Sequence, residues 1–345
     1  MSGNDTGNDY APAVNTKVPQ LAGSDDAPAR GLAARLSGSG GRRADRVRQS
    51  LGRLRAARDG RAAFFFLAPF VVFYLLLKLY PIAYGFWISL HRWETIGTSV
   101  SFIGFQNYQR IAQDRLFWEA VGHTVYFTAI ATPALIGLGL ALAMILNRSV
   151  FGSGAFRTLF YLPNVLSTAV IGLVFVAVLA GDERGLVNHA LGWFGIAPIP
   201  WLLGAQTAIP SIAMAAIWWT VGFNMLILLA GLQNIPAEVN DAARVDGASG
   251  PQLFWRITLP LLRRPLMLVT ILQLIACFQV FSLIDVMTRG GPGGQTRSLV
   301  YYIYERAFSQ QQLGYGAAIG FVMFAILFTL SIAQLRLFRR SGDVL

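Results

Sequence analysis

Apolar side chains run through this chain in long unbroken stretches, without the strict alternation of a half-buried strand or the single stripe of a surface helix. A bilayer core about 30 Å thick needs about 20 such residues per helix. Six stretches meet that length: Ala63 to Leu90, interrupted only by Lys78; Ala120 to Leu146; Thr158 to Ala180; Ala208 to Leu232; Pro265 to Met287, with Asp285 near its end; and Leu313 to Leu335. The pattern predicts an all-α integral membrane protein with six spanning helices. The first stretch, about 42 Å at 1.5 Å per residue, is too long to stand upright and is expected to bend at Pro81.

Residues 1–61 break the pattern. They hold 11 of the 28 Lys and Arg, 6 acidic residues and one aromatic, Tyr10. So little apolar surface cannot offset ordering entropy, which predicts a disordered basic tail. Val47, Leu51 and Leu54 share a stripe between Arg42 and Arg58, so a basic helix lying on anionic lipid also fits this segment. With no apolar core before Ala63, a cleavable signal peptide is not expected. Residues 62–340 then make the membrane domain and 341–345 a short end.

Composition agrees with a membrane class: 54% of residues are hydrophobic and 13% charged, against about 25% charged in soluble domains, with a mean hydropathy of +0.51. The net charge of +11 would suggest nucleic acid in a soluble protein, but its placement suggests membrane orientation instead. Six spans put both termini on one side. The segments on that side carry 20 Lys and Arg and the opposite segments 7, so both termini are expected in the cytoplasm. One cysteine, Cys277, and three scattered histidines, at 91, 123 and 189, offer no disulfide framework and no local metal motif. The only lysines, Lys17 and Lys78, lie outside any Gly-Lys-Ser/Thr phosphate loop. Catalytic residues are not expected.

The connection 233–264 is long for adjacent spanning helices and is expected to face the cytoplasm. Asn234 is placed to cap a helix with Pro236 in its first turn. Gly247 is placed to end it, and Ser249 with Gln252 to open a second short helix through a capping box. Pro260 should mark the passage into the next span. Ala242, Ala243, Gly247 and Ala248 leave the elbow bare of bulk. By spacing alone, a docking surface and an interfacial hairpin with packing value are equally open.

Neutral polar residues inside the spans are the other candidates. Asn164, Ser167 and Thr168 share a face, as do Thr220 with Asn224 and Thr270 with Gln273 and Cys277; Gln279 and Ser282 form a further stripe. Amides and hydroxyls can hydrogen-bond a polar solute, and Trp219 and Phe223 offer flat aromatic faces beside them. The same residues can instead tie helices together, at about 0.6 kcal/mol each.

The run Asp241-Ala242-Ala243, Gly247 and Ile257-x-Leu259-Pro260 resembles the EAA loop of binding-protein-dependent ABC importer permeases, E-A-A-x3-G-x9-I-x-L-P, with Asp241 standing for Glu. Phe102-Ile-Gly-Phe-Gln-Asn-Tyr108, Phe156-Arg-Thr-Leu-Phe-Tyr-Leu-Pro163, Ala230-Gly-Leu-Gln-Asn-Ile-Pro236, Thr288-Arg-Gly-Gly-Pro292 and Gly314-Tyr-Gly-Ala-Ala318 are similar to MalF-like subunits of the carbohydrate branch. The resemblance covers Ala63 to Arg340 and implies a type I ABC importer permease fold with a cytoplasmic helix-turn-helix coupling loop. It also implies partners: a second permease subunit, two ATP-binding-cassette ATPase subunits that use ATP and Mg, an extracytoplasmic solute-binding protein, a sugar substrate and the lipid bilayer, but no nucleic acid. Glu238, Asp241, Ala242, Ala243, Asp246, Gly247, Ala248, Ile257 and Pro260 would dock the ATPase. Asn164, Trp219, Phe223, Asn224, Gln273, Cys277 and Gln279 would line the substrate path. A glycerol 3-phosphate permease is the neighbouring alternative, and a self-sufficient secondary transporter a more distant one.

Overall fold

The computed structural model describes residues 66–94, 100–147 and 152–340; the expected basic tail lies outside them, as does the end 341–345. The elements in chain order are α1 (Phe66–Ser89), a two-stranded antiparallel pair β1 (His91–Arg92) and β2 (Ser101–Phe102), α2 (Gln106–Gln113), α3 (Arg115–Asn147), α4 (Ser153–Val165), α5 (Thr168–Val178), α6 (Leu186–Gly192), α7 (Ala208–Gln233), α8 (Ala237–Val245), α9 (Gly250–Leu261), α10 (Arg263–Phe278), α11 (Ser282–Met287), α12 (Leu299–Tyr304) and α13 (Leu313–Arg340).

Four of these helices, α1, α3, α7 and α13, are each long and apolar enough to cross a bilayer. Two bent pairs complete the count of six: α4 with α5, bent by 98°, and α9 with α10, bent by 68°. The expected third span is therefore broken at Leu166–Ser167. The expected fifth, Pro265 to Met287, is interrupted between α10 and α11 at Gln279–Phe281. Within α1, a wide π-type turn at Leu75–Leu79 immediately precedes Pro81. Proline has no N–H to return to the preceding turn and its ring crowds that turn's carbonyl, so the helix widens ahead of it.

The long helices α3 and α7 run in the same direction and carry two of the three buried clusters. Phe127, Ala131 and Leu135 of α3 meet Ile209, Ile212, Ala213 and Ala216 of α7, with Ile171 and Phe175 of α5, Cys277 of α10 and Leu283, Ile284 and Met287 of α11. Further along both helices, Ala143 and Leu146 meet Met225, Leu228, Leu229 and Leu232, beside Leu262 and Val269. That is the loop end of the bundle, where α7 leads into α8. At the opposite, far end, Ile111, Phe117 and Ala120 pack on Leu299, Tyr302, Tyr315, Ala318 and Ile319.

The far end is also tied by charge. Asp114 accepts hydrogen bonds from the Tyr302 hydroxyl, from the Tyr315 hydroxyl at 2.5 Å and from the Leu116 N–H at 3.0 Å. Arg306 lies 3.9 Å from the same carboxylate and donates to the Tyr302 hydroxyl at 2.8 Å. Burial alone would raise the Asp114 pKa, but the two tyrosines, the amide and the Arg306 charge outweigh it and hold the carboxyl below its ordinary value. Burial, then the bond to Asp114, pushes Tyr302 up to about 12. A depressed carboxyl contributes above its unfolded pKa and is lost only as pH falls through the folded value, while a raised phenol contributes below its unfolded value and is lost as pH climbs. The cluster should thus be constant between about pH 5 and 9, outside both titrations. Tyr302→Phe should destabilise the purified protein by about 1–2 kcal/mol. Melting curves at several pH values test this: a difference from wild type that varies between pH 5 and 9 would contradict the assignment.

Candidate functional site

The elbow of the 233–264 connection is built on a left-handed glycine. Helix α8 ends at Val245, and Gly247 follows at φ +82°. The Ala248 N–H donates to the Ala243 carbonyl (2.9 Å) and the Gly247 N–H to the Arg244 carbonyl (3.1 Å). These are the two bonds of a Schellman cap, which a residue with a Cβ closes only at a cost. The next helix opens as expected: Gln252 Oε1 accepts from the Ser249 N–H at 2.9 Å, the reach-back half of a capping box. Two sequence expectations are corrected. Asn234 does not cap α8; it closes α7 with φ −83° and ψ −5°, and Pro236 occupies the cap position without a side-chain bond. Pro260 does not end α9, which continues to Leu261; instead a π-type turn over Phe254–Thr258 absorbs its missing donor, with the Leu259 N–H bonding the Phe254 carbonyl.

Of the docking candidates, Glu238, Asp241, Ala242, Asp246, Gly247 and Pro260 are exposed, Ala248 and Ile257 half-buried, and Ala243 buried. Val245 is 87% exposed and Trp255 66%, so two large apolar side chains stand out from the hairpin beside the acidic and small residues. Sequence reasoning passed over both. The signal was present, since apolar residues in a polar connection between spans have no core to fill.

The two breaks in the spans meet at one cavity of about 300 Å³. Thr168 comes from the start of α5, Phe127 and Leu135 from α3, Ala216, Trp219 and Thr220 from α7, and Gln273, Ala276 and Cys277 from α10. The interruption adds Gln279 to Phe281 and α11 adds Ser282 and Leu283. Each break frees backbone groups that must find partners. The Leu166 carbonyl accepts from Trp219 Nε1 at 3.2 Å, and Ser167 Oγ accepts from the Val170 N–H at 3.4 Å, capping α5. Trp219 thereby has its ring fixed at the cavity wall.

Trp219, Gln273, Cys277 and Gln279 come together at this cavity, whereas Asn164, Phe223 and Asn224 are not among its lining. Asn224 is fully buried and its Oδ1 accepts from Gln273 Nε2 at 2.8 Å, linking α7 to α10. Among the described residues its own buried amide nitrogen has no partner. Among the described residues the cavity lining includes no charged side chain. What it offers a ligand is planar amide, hydroxyl and indole surface. Among the described residues no group of three or more His, Cys, Asp and Glu could hold a metal ion.

Residues 135–342 match the family described as binding-protein-dependent transport system inner membrane component. The chain is 36% identical to the sulfoquinovosyl glycerol transport system permease protein SmoG of Agrobacterium fabrum, over 81% of this chain and 91% of that one. It is 34% identical to the trehalose/maltose transport system permease protein MalF of Thermococcus litoralis, over 83% and 96%. In three dimensions it is similar to a chain of a bacterial alginate ABC transporter solved with an alginate pentasaccharide-bound periplasmic protein, with a TM-score of 0.74 at 20% identity, over 83% and 97%. That likeness shows a shared fold, the six-span permease fold expected from the EAA-like loop. With a family match over most of its membrane domain and such relatives along nearly their full length, this multi-pass chain belongs to the inner membrane components of binding-protein-dependent transport systems.

Proposed function

We propose that this chain is the sugar-conducting permease subunit of an ABC importer, and that ATP is hydrolysed, with Mg, by two separate cassette subunits. A second permease subunit completes the pathway, and an extracytoplasmic binding protein delivers a di- or oligosaccharide. Both termini and the 233–264 elbow face the cytoplasm, in keeping with the basic residues gathered on that side. The ATPases seat on Glu238, Asp241, Ala242, Asp246 and Gly247, with Val245 and Trp255 as apolar anchors. Their closure tilts α7 and α10, the helices that flank the elbow, and the solute passes along Trp219, Gln273, Cys277 and Gln279.

The observation that carries this reading is the uncharged cavity at the two broken spans, which has indole and amide walls and only about 300 Å³ of space. That is the low end for a small-molecule site, so a disaccharide fits only when the bundle opens, as alternating access requires. An anionic substrate such as glycerol 3-phosphate would call for a cation there, and the described residues of the lining supply none. One named relative is by its name a permease for trehalose and maltose, which are uncharged sugars, and this supports the same substrate class.

Proteoliposomes holding this chain alone should show no flux of labelled maltose or trehalose, and the complete complex should show flux only with ATP and Mg. Flux from the chain alone without nucleotide would sink the reading in favour of a self-sufficient transporter. Gln273→Leu should cut uptake about tenfold, because it removes a cavity amide and leaves the buried Asn224 unpaired. Its cost in stability should stay below about 1.7 kcal/mol, the upper range for interhelical bonds in membranes. Native uptake in this variant would remove Gln273 from the path.

A further inference from the structure

A second and larger cavity, about 930 Å³, opens at the far end of the bundle. Glu119, His123 and Tyr126 reach it from one face of α3 at i, i+4 and i+7, Gln206 from the residues before α7, and Gln295 from the turn after α11. His123 Nδ1 lies 3.3 Å from the Arg297 carbonyl oxygen, which anchors the ring at the wall, and Glu119 is held by Arg115 at 2.8 Å. Gln206 and Gln295 are exposed, and no hydrogen bond of either side-chain amide is found among the described residues. Planar amides, a carboxylate and a half-exposed tyrosine ring are the groups that bond vicinal hydroxyls and cover the apolar face of a pyranose.

The position of this vestibule gives it a role. Tyr126 lines it and the next residue, Phe127, lines the central cavity. On α7, Ile209 lines the vestibule and Ala216 the central cavity, about 10 Å further along the helix. Between them Phe127, Ile209, Ile212 and Ala213 are buried in one apolar cluster. The two cavities thus follow the same pair of helices and are separated by a hydrophobic septum.

We infer that the vestibule is a saccharide-binding subsite that holds the solute on the outer side of the septum before it enters the central cavity. This rests on the sugar-importer reading. Its volume suits an oligosaccharide, whereas the central cavity as it stands does not.

The test uses the permease and ATPase complex in nanodiscs, with the solute-binding protein left out because its own sugar site would give transfer. Saturation-transfer NMR with maltose, maltotriose and trehalose is compared for the native chain, Gln206→Ala/Gln295→Ala and Trp219→Ala, and cellular uptake of the same sugars is measured in parallel. Native protein and Trp219→Ala should retain transfer from at least one sugar. The double variant should bind that sugar about tenfold more weakly, as expected for two lost hydrogen bonds. Unchanged affinity in the double variant, or loss only in Trp219→Ala, would overturn the vestibule site. So would a double variant with normal sugar binding but weakened capture of the solute-binding protein, since the vestibule would then be a protein socket. If native cells take up none of the three sugars and none shows transfer, the importer reading for these sugars fails as well; intact uptake with unaltered affinity overturns the vestibule alone.

Discussion

Gly247→Trp is expected to lower uptake about 100-fold while the protein accumulates in the membrane at its normal level. Two effects add. Gly247 sits at φ +82°, where a Cβ costs roughly 1–2 kcal/mol, enough to depopulate the closed elbow about tenfold or somewhat more. Among the described residues an added Cβ meets nothing within 4 Å, so the indole is not forced into the fold; it projects from an exposed elbow into whatever seats there. Gly247→Ala carries the strain without the bulk and should lose about tenfold. Uptake, membrane abundance and ATPase co-purification separate the cases. Normal uptake and a normal ATPase yield in the Trp variant would show that the elbow transmits nothing.

The elements that were legible in the sequence are those fixed by solvent. Hydrocarbon thickness demands an apolar length, so the six stretches and their approximate limits could be read directly, and the capping chemistry of Gly247 and Ser249 is local enough to be read from two or three residues. The breaks inside the spans were not legible, because Leu166 and Val280 are as apolar as their neighbours and hydropathy does not register a change of direction. Ser167, four residues after Pro163, was the available signal: a residue that caps well, set just beyond one that cannot donate. Asn234 misled for the opposite reason. An Asn two residues before a proline suits the end of one helix as well as the start of another, and the backbone chose the end. Polar faces on α7 and α10 were visible, but periodicity could not say which amide faces the cavity and which faces a neighbour. Asn224 and Gln273 divided those roles only once the helices were packed.

Helix α4, the first half of the broken third span, approaches α7 closely at Gly222, and substituting that position should have a large effect on folding. A Cβ at Gly222 of α7 would run into the Phe160 carbonyl oxygen and lie 2.9 Å from Tyr161 Cα, both backbone atoms of α4. A flexible side chain could turn aside, but a helix backbone cannot, so even Gly222→Ala must push α4 off α7. The cost should be about 1–3 kcal/mol for Ala and greater for Val. Displacing α4 also moves the Leu166 carbonyl away from Trp219 Nε1 and loosens one wall of the central cavity. Gly222→Val is therefore expected to accumulate poorly and to melt well below wild type, and Gly222→Ala to fold but transport weakly. Gly137 of α3 is the control. It is exposed, a Cβ there meets nothing within 4 Å among the described residues, and Gly137→Ala should be neutral or stabilise the helix by up to about 1 kcal/mol. Membrane abundance and thermal unfolding of the three variants decide the matter: if Gly222→Val melts with the wild type, α4 does not lie against α7 as described, and the cavity built on that contact loses its wall.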